Sequence, residues 1–248
     1  MIDVWMRGVA AQLLAQPLGT VLNMGSSGIA LLEMLPRGAA QRVVLTEPDP
    51  VHVQALKRQY GSNPAVTIVH AAITEASGPA TLHRFNLAHA AALRTASGLK
   101  TLFPGLLDAG QIPVPTQTVE AVLQVCDFDT KAEHVLIIGA SGEEMAVIDA
   151  LIALNAMQFF DHIIVPLPSH PLYEESADGA AIRKRLESAG FRVTSQDMSD
   201  PDLPFVYMRL NRDWLALVAE RQHFAEAKDA AEARINELAS ERDAAETG

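Results

Sequence analysis

Residues Asn23-Met24-Gly25-Ser26-Ser27-Gly28 follow the apolar pair Val21 and Leu22 and have the composition of a buried strand turning into a helix. Glycines at such a turn let backbone N–H groups approach a ligand at a helix N-terminus. The next apolar run, Arg42 to Thr46, ends in Glu47. A carboxylate on that neighbouring strand tip accepts hydrogen bonds from ribose hydroxyls, and an open α/β sheet holds adenosine-containing ligands in this way. Asn23, Gly25, Ser26, Gly28 and Glu47 are therefore the candidate cofactor-binding residues. Ala72, after His70 and Ala71 at the end of a third strand-like run, is placed to line the adenine edge. Each has a second reading: a plain serine-capped turn, a solvated strand end before prolines, and an ordinary strand end. The Gly-x-Gly-x-x-Gly spacing of nicotinamide-binding turns is absent.

Two further residues could move a proton. His170 lies in Pro166-Leu167-Pro168-Ser169-His170-Pro171-Leu172-Tyr173, after a strand whose carboxyl end should border an acceptor site. Its imidazole titrates near neutrality and could take the proton of an acceptor hydroxyl, or it is simply an exposed polar residue. Glu143 is a candidate base, or a first-turn acid complementing the helix dipole. Ser141 and Glu144 have the Ser-x-x-Glu spacing of a capping box, which accounts for both without chemistry. The eight histidines and lone Cys126 offer no pair at metal-ligand spacing, so no metal site is expected.

These residues need a sheet to position them. Strand and helix signals alternate through residue 212, which predicts an α/β domain with a mostly parallel sheet. Strands are read near 20–24, 42–47, 66–70, 80–86, 134–138, 161–166, 191–195 and 204–210. Helices are read near 29–35, 50–60, 143–154 and 174–189. Ile2, Trp5, Val9 and Leu13 predict an amphipathic N-terminal helix packed on the domain. The short Asp200-Pro201-Asp202-Leu203-Pro204 turn predicts that the last two strands pair antiparallel, since a parallel pair needs a longer crossover. Ala88 to Val114, rich in Gly and Pro, reads as an irregular insert, either a lid over an acceptor or a packed surface loop. Residues 213–248 read as a long C-terminal helix in which Leu217, Phe224, Ala231, Leu238 and Ala245 recur every seven residues. It is either a weak coiled coil, joining copies or a fused domain, or a solvated helix.

Composition narrows the partners. Nineteen Lys and Arg against thirty Asp and Glu give a formal charge of −11, which repels phosphate backbones, so nucleic acid is not expected as a partner. No apolar run reaches membrane-spanning length and Met1 to Ala15 lacks signal-peptide features. One cysteine fits a reducing compartment, and a cytoplasmic location is expected.

The segments Asn23 to Gly28, Leu45-Thr46-Glu47-Pro48-Asp49-Pro50 and Val69-His70-Ala71-Ala72-Ile73 resemble the opening of FkbM-type methyltransferases, a likeness spanning most of residues 18–212. It implies a Rossmann-like, mostly parallel seven-stranded sheet with an antiparallel last strand. It also implies S-adenosylmethionine lying across Asn23 to Gly28 with its ribose on Glu47, and methyl transfer to a sugar or small-molecule hydroxyl. This sequence departs from the family in having Asn23 for Asp and a glycine spacing one residue shorter. Where the family has Asp-x-Glu-Gly-x-Glu, it reads Gly139-Ala140-Ser141-Gly142-Glu143-Glu144, keeping only Gly142 and Glu144. Three readings follow: a methyltransferase, a methyltransferase-shaped scaffold without chemistry, and a nicotinamide oxidoreductase.

Overall fold

The computed structural model describes residues 2–25, 29–87, 89–129 and 131–246. The chain divides into two compact units, Met1–Leu210 and Asn211–Gly248. The first runs α1 (Ile2–Leu13), β1 (Leu18–Gly25), α2 (Ile29–Met34), β2 (Ala40–Thr46), α3 (Pro50–Tyr60), β3 (Val66–Val69), β4 (Ala72–Ile73) and β5 (Gly78–Phe85). It continues with α4 (Ser97–Leu102), β6 (Asp108–Gln117), α5 (Val119–Leu123), β7 (Glu133–Gly139), α6 (Glu144–Ala153), β8 (His162–Pro166), α7 (Gly179–Ser188), β9 (Phe191–Asp197) and β10 (Phe205–Leu210).

Seven strands form one sheet in the order β3-β2-β1-β7-β8-β10-β9. Only β10 runs against its neighbours, pairing antiparallel with both β8 and β9. This is an α/β, Rossmann-like, mostly parallel seven-stranded sheet with an antiparallel last strand, as the sequence predicts. The central strands are apolar on both faces, as strands covered by helices on both sides must be. On one face Leu22, Met24, Leu136, Ile138 and Val165 pack with Val147 and Leu151 of α6 and Ile182 and Leu186 of α7. On the other, Val21, Leu45, Val135, Ile137 and Tyr207 pack with Val9 and Leu13 of α1 and Leu31 of α2. Burying a side chain of this size contributes roughly 1.5–3 kcal/mol. The spacing of Met6, Val9, Ala10 and Leu13 makes α1 amphipathic, and all four are buried. Trp5 donates its indole N–H to Ser195 Oγ at 3.1 Å. The side chain of Ile2 lies outside the described residues.

A second sheet, in the order β4-β6-β5, stands beside the first. It corrects the reading of residues 88–114 as irregular. Residues 108–117 form a ten-residue strand paired antiparallel with β5, and the strand read near 80–86 belongs here rather than to the main sheet. Val114 and Thr116 are buried while Pro113 and Pro115, which alternate with them, are exposed, so the period of two is present but masked by proline. β4 reaches only residues 116 and 117, so both prolines sit where β6 has a single partner strand, a place where proline is tolerated. The rest of the insert carries α4 and an antiparallel bridge from Ala92 to His83.

At the sheet edge opposite the strand carboxyl ends, the Tyr207 hydroxyl donates to Nδ1 of His162 at 2.8 Å. Nε2 of the same ring lies 2.7 Å from Glu133, whose other oxygen accepts from Arg209. A neutral ring protonated on Nε2 satisfies both contacts, and burial holds its pKa below the usual value.

The second unit is a single helix, α8 (Arg212–Glu246), of 35 residues. Leu217, Phe224 and Ile235 are exposed on it, and charged residues such as the Lys228–Glu232 pair separate them. Among the described residues no helix is long and apolar enough to cross a membrane.

Candidate functional site

The carboxyl ends of β1, β2 and β7 meet at a cleft of about 560 Å³, including the space open to solvent. Gly25 ends β1 directly opposite Gly139, which ends β7. Its φ of +93° is left-handed, and a Cβ there would stand 2.2 Å from the Gly139 carbonyl oxygen. Only glycine lets the two tips lie this close. Asn23, fully buried two residues earlier, donates from Nδ2 to the Gly25 carbonyl at 2.6 Å. Its Oδ1 has no hydrogen-bond partner among the described residues. A buried acceptor left open beside a glycine turn suits an incoming N–H donor. Ser26 and Gly28 lie outside the described residues.

The Glu-Pro-Asp-Pro stretch has a local physical logic. Glu47 leaves β2 and lines the cleft. Asp49 is the N-cap of α3, accepting from Val51 N–H at 2.8 Å, and Pro50 opens the helix where its missing N–H costs nothing. The Asp49 N–H donates to Glu47 Oε1 at 2.8 Å, fixing the carboxylate, and His52 stands 3.8 Å from the same oxygen. Glu47 is only 4% exposed, and burial raises its pKa against those favourable contacts. Asp49 also holds Arg84 of β5, with Nε to Oδ2 at 2.7 Å. Burial pushes the Asp49 carboxyl up, but the Arg84 and Val51 hydrogen bonds outweigh it and keep the pKa low. Ala71, Ala72, Ile73 and Leu93 supply an apolar wall. Gly25, Glu47 and Ala72, distant in sequence, thus border one cleft.

The candidate catalytic residues fare differently. Glu143 lines the cleft but is held bidentately by Arg94, with contacts of 2.6 and 3.2 Å. Its hydrogen bond raises the Arg94 pKa, and both groups are committed to fastening the insert to the turn after β7. A carboxylate so paired is a poor base. His170 is exposed, its Nδ1 3.0 Å from Ser169 Oγ, and it borders neither the cleft nor the larger cavity beside it.

That larger cavity, about 1770 Å³ including its open mouth, lies beyond the ends of β7, β8 and β9 and the start of β10. His89, Gly139 and Ser141 border both spaces, which therefore adjoin. Glu144 is in its wall. The capping box does not form as its spacing suggests: the Ser141 hydroxyl donates to the His89 carbonyl, α6 starts after Glu143, and no side chain caps it. The returning half is absent too, since the backbone donors near the Glu144 carboxylate are its own N–H and that of Gly142, not that of Ser141. Gly142 has φ +84°, and Tyr173 covers it. The Tyr173 hydroxyl donates to the Ala90 carbonyl at 3.0 Å, and burial pushes its pKa up to about 12.

Burial also raises the Glu144 pKa to about 7, the backbone donors and Arg94 compensating only in part. The unfolded value is near 4.5, so the fold loses stability as pH rises from there through 7. Glu144→Gln is therefore expected to stabilise the protein by about 1–3 kcal/mol at pH 8, with the gain vanishing near pH 5. Urea unfolding across that range checks it, and a variant less stable at every pH would contradict it.

No protein family and no curated protein matches this chain. Solved structures do resemble it. Fibrillarin from Aeropyrum pernix, in complex with natively bound S-adenosyl-L-methionine, is 11% identical over 82% of this chain and 74% of its own, with a TM-score of 0.42. The 23S rRNA methyltransferase ErmE is 12% identical over 84% and 68%, with a TM-score of 0.42. Sp1610 of Streptococcus pneumoniae, provisionally named a tRNA (m1A22) methyltransferase and solved with S-adenosyl-L-methionine, is 13% identical over 83% and 72%, with a TM-score of 0.43. The expectation that nucleic acid is no partner is overturned, since proteins named for tRNA and rRNA methylation stand among the structures this chain resembles. The physical reason is that a charge of −11 sums over the whole surface and says nothing of a local face. At these identities the likeness is one of backbone course and transfers no activity.

Proposed function

We propose that this chain is an S-adenosylmethionine-dependent methyltransferase whose cofactor occupies the cleft and whose acceptor enters the adjoining cavity. The observation that carries the reading is the convergence of Gly25 and Glu47 on one cleft, with Asn23 buried behind it and bonded to the Gly25 carbonyl. One strand tip offers close backbone and an open buried acceptor, and the next offers an anchored carboxylate. Glu47 would hold the ribose, Ala71, Ala72 and Ile73 would flank the adenine, and Asn23 Oδ1 would face the ammonium end. When bound, the sulfonium supplies an already activated methyl group, so the protein has chiefly to align the acceptor and exclude water. The apolar walls of the cleft and cavity would serve the second. Glu144, near neutrality in its pKa, is positioned to receive an acceptor proton, a role for which Glu143 and His170 are unsuited. The resemblance to FkbM-type enzymes supports a hydroxyl acceptor, while the apolar walls support a small molecule less polar than a sugar. A cytoplasmic location fits the single cysteine.

The scaffold reading draws on the pairing of Glu143 with Arg94 and on the position of His170 outside both spaces. Titration with S-adenosylmethionine and S-adenosylhomocysteine separates the two. Micromolar binding of both supports the transferase. Binding of neither, in a folded sample, leaves only the scaffold.

A further inference from the structure

The large cavity has a composition that the methyl-transfer reading does not require. Its apolar lining comes from Leu99, Leu102, Phe103, Leu172 and Leu203 among others, and Leu87 and Phe103 at 36% and 42% exposed give it a greasy rim. Every charged side chain on its wall is a carboxylate: Glu33, Glu144, Asp197, Asp200 and Asp202. Among the described lining residues there is no Lys or Arg, and His89 is the one basic group.

These carboxylates are not equivalent. Glu33 accepts from Gln59, Asp200 accepts from the backbone of Asp202 and Leu203, and Asp197 is occupied by both donors of Ser199. Glu144 is 7% exposed, and among the described residues no ion pair holds its carboxylate. The nearest guanidinium, Arg94, is spent on Glu143 and Glu175. A buried carboxylate without a cation of its own, in an apolar cavity of one sign of charge, is a receptor for a cation.

We infer that this cavity takes a largely apolar small molecule carrying a protonated amine, with its ammonium against Glu144 and its hydrocarbon body against Leu99, Leu102 and Phe103. The inference rests on reading the cavity as the acceptor site for the identity of the acceptor, but not for the binding itself. An anion would meet only repulsion on this wall, and a neutral polyol would leave most of its hydroxyls unpaired against leucines. An ammonium brings Glu144 into its charged form by supplying the missing partner. At the same time the apolar body displaces water from the walls.

The test uses three probes of one chain length: octylamine, octanol and octanoate, titrated calorimetrically into the full chain at pH 7.5 without nucleoside. Octylamine is expected to bind at least tenfold more tightly than octanol, and octanoate not measurably. Glu144→Gln should erase the preference for the amine while leaving octanol unchanged. Glu120→Gln, an exposed carboxylate outside the cavity, removes the same formal charge and should keep it. Equal binding of amine and alcohol would overturn the inference. So would equal losses in the two variants, which would mean attraction to the net charge only, or binding of none of the probes. Titration with S-adenosylhomocysteine, run separately, tells the two readings apart. Amine binding without nucleoside binding leaves the cavity's specificity standing and removes the transferase.

Discussion

Gly25→Ala is expected to abolish nucleoside binding and to weaken the fold. The left-handed backbone alone costs a side-chain-bearing residue about 1–2 kcal/mol. The overlap of Cβ with the Gly139 carbonyl oxygen adds a steric penalty of about 1–3 kcal/mol, because that oxygen is backbone and cannot swing away. Relief comes only by parting the tips of β1 and β7, the movement that also displaces the Asn23 amide from the Gly25 carbonyl. Stability and ligand affinity should therefore fall together. Urea unfolding and titration with S-adenosylhomocysteine measure the two. A variant within about 0.5 kcal/mol of the parent, the usual range for a neutral surface change, would show that the close approach of the tips does not matter.

The second large effect is expected at Glu47. A hydrogen bond to a charged group contributes about 1.5–3 kcal/mol, so losing the ribose contacts should weaken nucleoside binding about a hundredfold or more. Glu47→Gln preserves the shape and an acceptor for the Asp49 N–H, and it removes a buried charge, so the fold should be as stable or slightly more so. Loss of affinity with stability intact separates a ligand contact from a structural one. The 2′-deoxy analogue of S-adenosylhomocysteine sharpens the result. It should bind the parent more weakly than the ribonucleoside does, and Glu47→Gln should hardly distinguish the two. If Glu47→Gln binds as tightly as the parent, the ribose does not lie on this strand.

The main sheet was legible because its determinants are local. Apolar runs of strand length, Pro48 and Pro50 after β2, and the short turn between β9 and β10 each act within a few residues. The second sheet was hidden for a local reason too, since Pro113 and Pro115 break the donor pattern that marks a strand. At the site, Gly25 and Glu47 could be found because each stands at a strand end, where topology alone brings tips together. What decides Glu143 and Glu144 could not be found. Arg94 is far from Glu143 along the chain, and no spacing announces their contact. Nor does spacing distinguish a Ser141 that caps a helix from one that donates to His89, because the difference lies in where the insert passes. His170 follows the right strand, yet it is exposed and lines neither space, which its position in the sequence does not reveal.

Asp49 performs three tasks at once, starting a helix, holding Arg84 of the neighbouring sheet and donating its N–H to Glu47. The carboxylate of Glu47 is consequently immobilised during folding rather than at the moment of encounter, and its rotamer freedom is already surrendered when a sugar arrives. Recognition there should be a rigid, preorganised event, favourable in enthalpy, in which little of the interaction is spent on ordering the receptor.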